Sequence, residues 1–224
     1  MAILKTYSGP GDLPEQVPVF PLSGALLLPR VELPLNIFEP RYLDMVDDAL
    51  SGARLILMVQ PDETRPATER GPALYGVGCL GRITQFAETG DGRYLVTLSG
   101  ICRVRLRAEA EVATAYRQVL IDASSFAADF EDGVGAQQVD RSALLAALAA
   151  FLNANRLEAD WDDIRQADTE SLVNGLCVMS PYGVLEKQAL LEALTLQARS
   201  EMLVAITQMM LARMPGDDGE TSLQ

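Results

Sequence analysis

Near residue 130 the spacing of apolar side chains changes. Before it they recur at every second position and β-branched residues are common; after it Ala and Leu dominate at intervals of three and four. A period of two belongs to a pleated strand with one buried face, and a period near 3.6 to an amphipathic helix. A chain carrying the two in separate blocks builds a β-rich unit first and a helical unit second, an α+β arrangement. The stretch between them, FAADFEDGVGAQQVD, is acidic and carries Gly, as a connector does. The expected organisation is a flexible tail over 1–16, a β-rich subdomain over 17–124, a linker over 125–140, a helical bundle over 141–214 and a second flexible tail over 215–224. No internal repeat is present.

Within the first block, 17–20, 25–28 and 32–37 read as short strands, punctuated by Pro18, Pro21, Pro29 and Pro34. Prolines this dense suit barrel edges and corners rather than a central parallel sheet. A helix follows from about Pro40 to Leu50, with Pro40 at a first helical position and Gly52 as its stop. RLILMVQ over 54–60 reads as a buried strand. Residues 76–88 and 93–106 then flank Thr89-Gly90-Asp91-Gly92, whose glycines supply the positive φ of a tight hairpin turn. If that turn sets the register, Val77 faces Val104, Cys79 faces Cys102, Gly81 faces Gly100 and Ile83 faces Leu98. On the other side Leu80 faces Ile101, Arg82 faces Ser99, Thr84 faces Thr97 and Phe86 faces Leu95. A further strand is expected over 116–121.

In the second block Leu144, Leu145, Leu148, Phe151 and Leu152 form one helical stripe. Leu172, Val173, Leu176 and Met179 form another, and Met202, Leu203, Ile206, Met209 and Met210 a third, after a helix over about 185–194. Each stripe needs a partner, so these helices pack together beside the β unit.

Composition removes most chemistry. The 224 residues contain no histidine, which eliminates Ser-His-Asp and Cys-His catalysis, His-ligated metals and the usual proton shuttle at neutral pH. There is no G-x-x-x-x-G-K-[ST] phosphate cradle and no G-x-S-x-G elbow. The two lysines, Lys5 and Lys187, lie outside any apolar segment that would desolvate them into a general base. A net charge of −13 repels phosphate backbones, so nucleic acid is not an expected partner. Cys79, Cys102 and Cys177 are odd in number and lack C-x-x-C spacing, which fits a reducing cytoplasm and neither a zinc site nor a disulfide framework. Cys79 opposite Cys102 falls within disulfide reach on the hairpin register, although two small buried hydrophobes are the commoner outcome. The N-terminus lacks the apolar core of a signal peptide, and the longest apolar run, over 143–152, is half the roughly 20 residues a membrane span needs. No cofactor, metal or membrane is expected.

Three clusters remain as candidates. Arg103, Arg105 and Arg107 lie at period two on one strand with Arg82 nearby, and guanidinium forks suit carboxylates and extended peptide backbones. A solvated sheet face neutralised by Asp and Glu is the commoner arrangement for such a ladder. Met202, Met209, Met210 and Met214 form a stripe that is either ordinary core or an adaptable apolar surface. Glu158, Asp160, Asp162, Asp163, Asp168 and Glu170 lack the D-x-D-x-D-G alternation of a calcium loop; Asp and Glu near helix starts, with Trp161 anchoring the stretch, explain them without a ligand. Partner-binding residues on this reading are Arg82, Arg103, Arg105, Arg107, Met202 and Met209.

The string VPVFPLSGALLLPRVELPLNIFEPRYLDMV over 17–46 resembles the opening of the N-terminal, substrate-binding domain of Lon proteases. The matching steps are Phe20-Pro21-Leu22, an apolar segment from Leu26 to Pro29, Leu33-Pro34-Leu35 and Phe38-Glu39-Pro40-Arg41-Tyr42. The hairpin resembles the family's central sheet, and LEKQALLEALTLQAR the helical end of stand-alone bacterial members, so the likeness spans about 17–212. Two departures stand out: Arg30 occupies a place where the family often has Gly, and Gly183-Val184 replaces a Ser-Pro helix start and caps more weakly. The resemblance implies a PUA-like, mostly antiparallel β pseudo-barrel with one short helix, followed by a helical bundle, in a chain without the ATPase and protease domains. It also implies a non-catalytic module that binds unfolded polypeptide or a partner protein. An adaptor of a separate ATP-dependent protease or chaperone would use the same surfaces. A small-ligand or RNA module of PUA-like type ranks below these, and an enzyme working through Asp160–Asp163 last.

Overall fold

The computed structural model describes residues 7–213. Six strands form one mixed sheet: β1 (Gln16–Pro21), β2 (Glu32–Ile37), β3 (Leu55–Val59), β4 (Val77–Glu88), β5 (Tyr94–Glu109) and β6 (Gln118–Asp122). Their order is β2-β5-β4-β3-β1-β6, and β6 also pairs with β5, so five strands close on themselves and β2 extends one end. All pairings are antiparallel except β1 with β3. The 16-residue β5 makes closure possible, because its first half pairs with β2 and its second half with β6.

Apolar residues fill two layers. Val17, Val19, Leu55, Leu57, Val59, Leu80, Cys102, Val104 and Val119, one or more from each closed strand, fill the barrel interior. Alternate residues of the same strands, such as Phe20, Ile56, Met58 and Cys79, face outward into a larger core shared with the helices. Strand β3 is therefore covered on both faces, which is why its sequence is continuously apolar.

The helices are α1 (Pro40–Ser51), α2 (Arg141–Ala154), α3 (Trp161–Gln166), α4 (Thr169–Met179), α5 (Val184–Glu192) and α6 (Leu196–Arg213). Helix α1 begins on Pro40, ends at Gly52 as expected, and packs Tyr42 against Phe20 with ring centroids 4.4 Å apart. Helix α5 docks on the barrel through polar contacts: Gln60 Nε2 donates to the Val184 carbonyl (3.1 Å), and Gln188 Nε2 to that of Val77 (3.2 Å). As its sequence predicts, Gly183 gives α5 no side-chain cap. Leu144, Leu172, Val173, Leu190 and Leu203 join the outer barrel residues in one core, so the β and helical blocks share their interior.

Two expectations are corrected. Residues 25–28 are not a strand: Leu26, Leu27 and Leu28 are all buried, but the segment joins no strand ladder. This segment crosses Gly81 and Gly100, and Gly100 exchanges backbone hydrogen bonds with Arg30 (2.8 Å) and Val31 (2.9 Å). The hairpin register is as expected only for Gly81–Gly100, Arg82–Ser99 and Ile83–Leu98. Bulges at Ile101 and Thr84 shift it on either side, giving Leu80–Cys102, Cys79–Arg103 and Val77–Arg105, and at the turn Phe86–Val96. Such insertions bend and coil strands toward closure. Cys79 thus lies in the outer core and Cys102 in the barrel interior; both are free. The connector is ordered through two 3-10 segments, Ser124–Phe130 and Ala136–Gln138, and buries Phe126 and Asp129. Of the expected tails, 1–6 and 214–224, including Met214, lie outside the described residues, while Tyr7 and Leu13 pack against the inner cluster.

Candidate functional site

An apolar groove of about 480 Å³ opens between α2, α3 and α4. Leu148, Phe151 and Leu152 of α2 form one wall, Leu172, Leu176 and Met179 of α4 the opposite one, and Leu157 and Ile164 close the end near α3. Gly175 contributes to the lining in mid-helix; a Cβ there would approach only the Met179 Cε, at 4.0 Å, so the missing side chain leaves the groove wider. Met179 is 75% exposed and Leu157 53%, an unusual degree of exposure for large apolar side chains beside one concavity. Asp163 is the charged member of the lining.

The helical stripes identified most of these residues but assigned them to core. The stripes on α2 and α4 are wider than the contact each makes with α6, and the excess faces the groove. Gly175 inside an otherwise regular helical pattern was the available signal, since a mid-helix Gly is unfavourable by about 1 kcal/mol relative to Ala and here leaves open space where a side chain would stand.

The arginine ladder does not form one surface. Arg103 is 3% exposed, and its guanidinium pairs with Asp129 (Nη2–Oδ1 2.7 Å) and lies 4.6 Å from the Phe126 ring centroid. Period two placed it on a face with Arg105 and Arg107, but the ordered connector covers that end of the face. Arg105 is exposed, donates to the Ser125 hydroxyl at 3.3 Å and lies 5.7 Å from the same ring centroid. Arg107 pairs with Asp122. Arg82 lines a separate open cleft, also about 480 Å³, with Arg30, Thr84, Ser99 and Asp132 at the junction of barrel and connector. Met202 is half-buried against the shared core, whereas Met209 is 55% exposed.

Arg30 has φ +63°, a left-handed conformation. Its side chain spans the junction: Nη1 donates to the Asp129 carbonyl (2.8 Å), Nε to Glu170 Oε2 (3.1 Å), and Glu170 also pairs with Nη2.

The acidic stretch resolves into helix caps. Asp160 accepts from the N–H groups of Asp162 (2.9 Å) and Asp163 (3.1 Å), and Asp168 from that of Ser171 (2.9 Å). Those bonds hold the Asp168 carboxyl below its usual range. Trp161 is half-buried at the start of α3. Among the described residues no group of three or more His, Cys, Asp or Glu is placed to hold a metal. Burial pushes the Cys102 and Cys177 thiols up to about 12, far from nucleophilic readiness. Lys187 is less exposed than its polar helix segment implied: burial lowers its pKa, and Nζ donates to the Gly24 carbonyl at 2.8 Å, holding α5 against the loop after β1. Among the described residues no helix is long and apolar enough to cross a membrane.

Comparison with known proteins agrees with this architecture. The N-terminal domain of Mycobacterium avium complex Lon protease superposes with a TM-score of 0.64 at 19% identity, covering 86% of this chain and 98% of that one. The Lon N-terminal domain protein from Xanthomonas campestris gives a TM-score of 0.56 at 20% identity, covering 89% and 99%. Lon protease 2 of Sorangium cellulosum is 27% identical over 201 residues, 86% of this chain and 24% of that protein. Lon protease of Desulfosudis oleivorans is 33% identical over 96 residues, 42% of this chain and 12% of its own length. The chain thus spans about a quarter or less of the length of these curated relatives. The family model described as the ATP-dependent protease La (LON) substrate-binding domain matches residues 16–208, and the chain belongs to that family.

Proposed function

We propose that this chain binds polypeptide segments, from unfolded chains or from a partner protein, and leaves them chemically unchanged. The observation that carries the reading is the open groove between α2, α3 and α4, whose exposed apolar walls are what an extended or helical segment would cover. Membership of a substrate-binding family supports the same role. The absence of histidine and of a phosphate cradle and the burial of its thiols favour a binding role over nucleophilic or ATP-driven chemistry. Free buried thiols fit a cytoplasmic setting. Arg82, Arg105, Arg107 and Met209 remain accessible for secondary contacts, Met202 only at its exposed part, and Arg103 serves the interior.

The test is titration of a labelled, reduced and alkylated polypeptide that cannot refold, followed by fluorescence anisotropy. Saturable binding with Kd on the order of tens of micromolar is expected for a groove of this size. A flat response across that range overturns the reading.

A further inference from the structure

The groove is apolar in its walls but negative in its electrostatic setting. Phe151 and Leu152 lie in the last turn of α2, and Leu176 and Met179 in the last turn of α4, so two helix C-termini meet at it. Carbonyls left without intrahelical partners give such ends a partial negative charge. Elsewhere in the helical unit a guanidinium offsets this charge. Arg141 Nη2 donates to the Ile164 (2.9 Å) and Ala167 (2.8 Å) carbonyls at the end of α3. Arg199 Nε donates to Leu190 (3.0 Å) and Arg103 Nη1 to Leu191 (3.3 Å) at the end of α5, and α6 carries Arg213 in its last turn. The last turns of α2 and α4 contain no basic residue. Arg156 follows α2 and is exposed; its backbone N–H closes the Asn153 carbonyl at 3.2 Å, a neutral donor rather than a guanidinium.

Asp163 adds a full charge to the third wall. Its neighbour Arg165 pairs with Asp162 instead (2.7 Å), and among the described residues the Asp163 carboxylate has no ion pair. Two helix ends without a cationic cap, that of α2 closed only by neutral donors (Asn155 Nδ2 to the Phe151 carbonyl at 2.8 Å and the Leu157 N–H to that of Leu152 at 2.9 Å), and one carboxylate without an ion pair therefore border an apolar trough. A bound apolar segment would desolvate them, and a cation beside its anchors would compensate them.

We infer that the groove selects polypeptide segments in which bulky apolar side chains are flanked by Lys or Arg. The inference rests on the polypeptide-binding reading above and adds its charge class. The long aliphatic stems of these residues cover apolar wall while their heads reach the rim, a geometry that Asp and Glu lack.

Two labelled peptides with identical apolar residues, one flanked by Lys and the other by Glu, test it by anisotropy against the whole chain. At low salt the Lys peptide is expected to bind about tenfold tighter, with the ratio shrinking as salt rises. Asp163→Asn should reduce that ratio about threefold, and Gly175→Leu, which fills the trough from a helix that gains propensity, should weaken both peptides about tenfold while circular dichroism is unchanged. Equal affinities that are lost in Gly175→Leu overturn the charge selection and leave polypeptide binding standing. Affinities that survive Gly175→Leu overturn the groove. Failure of both peptides where the unfolded polypeptide binds also overturns the groove inference alone, whereas failure of all three ligands removes both readings.

Discussion

Arg103 on β5 and Asp129 in the connector form a buried two-pronged ion pair, with Nη2–Oδ1 at 2.7 Å and Nε–Oδ2 at 2.8 Å. Asp129 Oδ2 also accepts the Arg103 backbone N–H at 2.9 Å, and the same guanidinium caps the Leu191 and Ala193 carbonyls. One side chain thus ties barrel, connector and the end of α5 together. Arg199, 3% exposed beside them, bonds Asn174 Oδ1 (2.7 Å) and the Leu190 carbonyl.

Removing only the carboxylate strands a buried cation. Asp129→Ala is expected to lower unfolding free energy by about 3–5 kcal/mol, measured by urea denaturation. The double variant Arg103→Met with Asp129→Leu should lose less than the two single losses combined, because no charge is left behind. Strict additivity would show that the two groups act independently.

The crossing of residues 25–28 over the hairpin depends on a floor without side chains. A Cβ on Gly100 would lie 2.0 Å from the Leu28 carbonyl oxygen, whereas one on Gly81 would meet the movable Leu27 Cδ2 at 2.7 Å. Gly100→Ala should therefore cost about 3 kcal/mol or more, and Gly81→Ala roughly 1–2 kcal/mol. Equal thermal shifts for the two would mean that the backbone of the crossing gives way as easily as a leucine methyl.

The same residues show how far the sequence could be read. Period and turn chemistry placed β1, β2, α1, β3, the hairpin and the main helices, because those signals are local. Bulges are not local: the extra residues at Ile101 and Thr84 answer to closure of the barrel, a demand that no single strand displays. Three consecutive leucines read as a strand because apolar runs look alike whether they pair or cross. Arg103 was grouped with Arg105 and Arg107 because alternation assigns a face but does not say what covers it. The groove was missed for the converse reason, since an apolar stripe looks the same whether a neighbouring helix covers it or nothing does.

Arg30 holds a left-handed backbone conformation that L-residues adopt at a cost of about 1–2 kcal/mol, while its side chain joins the connector to Glu170 of α4. Arg30→Ala would lose the side-chain bonds and keep the strain; Arg30→Gly would lose the bonds and relieve the strain. Chemical denaturation should find the Ala variant less stable by about 1 kcal/mol. A Gly variant less stable than the Ala one would contradict the backbone assignment.

Three buried cysteines give a chemical reading of the packing. Burial raises the Cys79 thiol well above its ordinary value and the Cys102 and Cys177 thiols to about 12, so the reactive thiolate is suppressed. A thiol reagent at mildly alkaline pH should label the native chain negligibly and all three cysteines in denaturant. Rapid stoichiometric labelling without denaturant would place at least one of them at the surface.

Asp122 carries a pH dependence whose sign follows from its bonds. The Ser124 backbone N–H (2.7 Å), the Ser124 hydroxyl and then Arg107 hold its carboxyl down to about 2. An unfolded Asp titrates near ~3.9, so the folded chain stays deprotonated where the unfolded chain has taken up its proton. The resulting stability is fully present above about pH 4 and disappears as pH falls from there toward 2. Asp122→Asn lacks this titration. Melting temperatures of the wild type and Asp122→Asn should therefore differ most near neutrality, with the wild type higher, and converge through that acid window. Parallel melting curves down to the lower limit would mean that Asp122 has the same pKa folded and unfolded, and the Ser124 and Arg107 contacts would then be too weak to shift its titration.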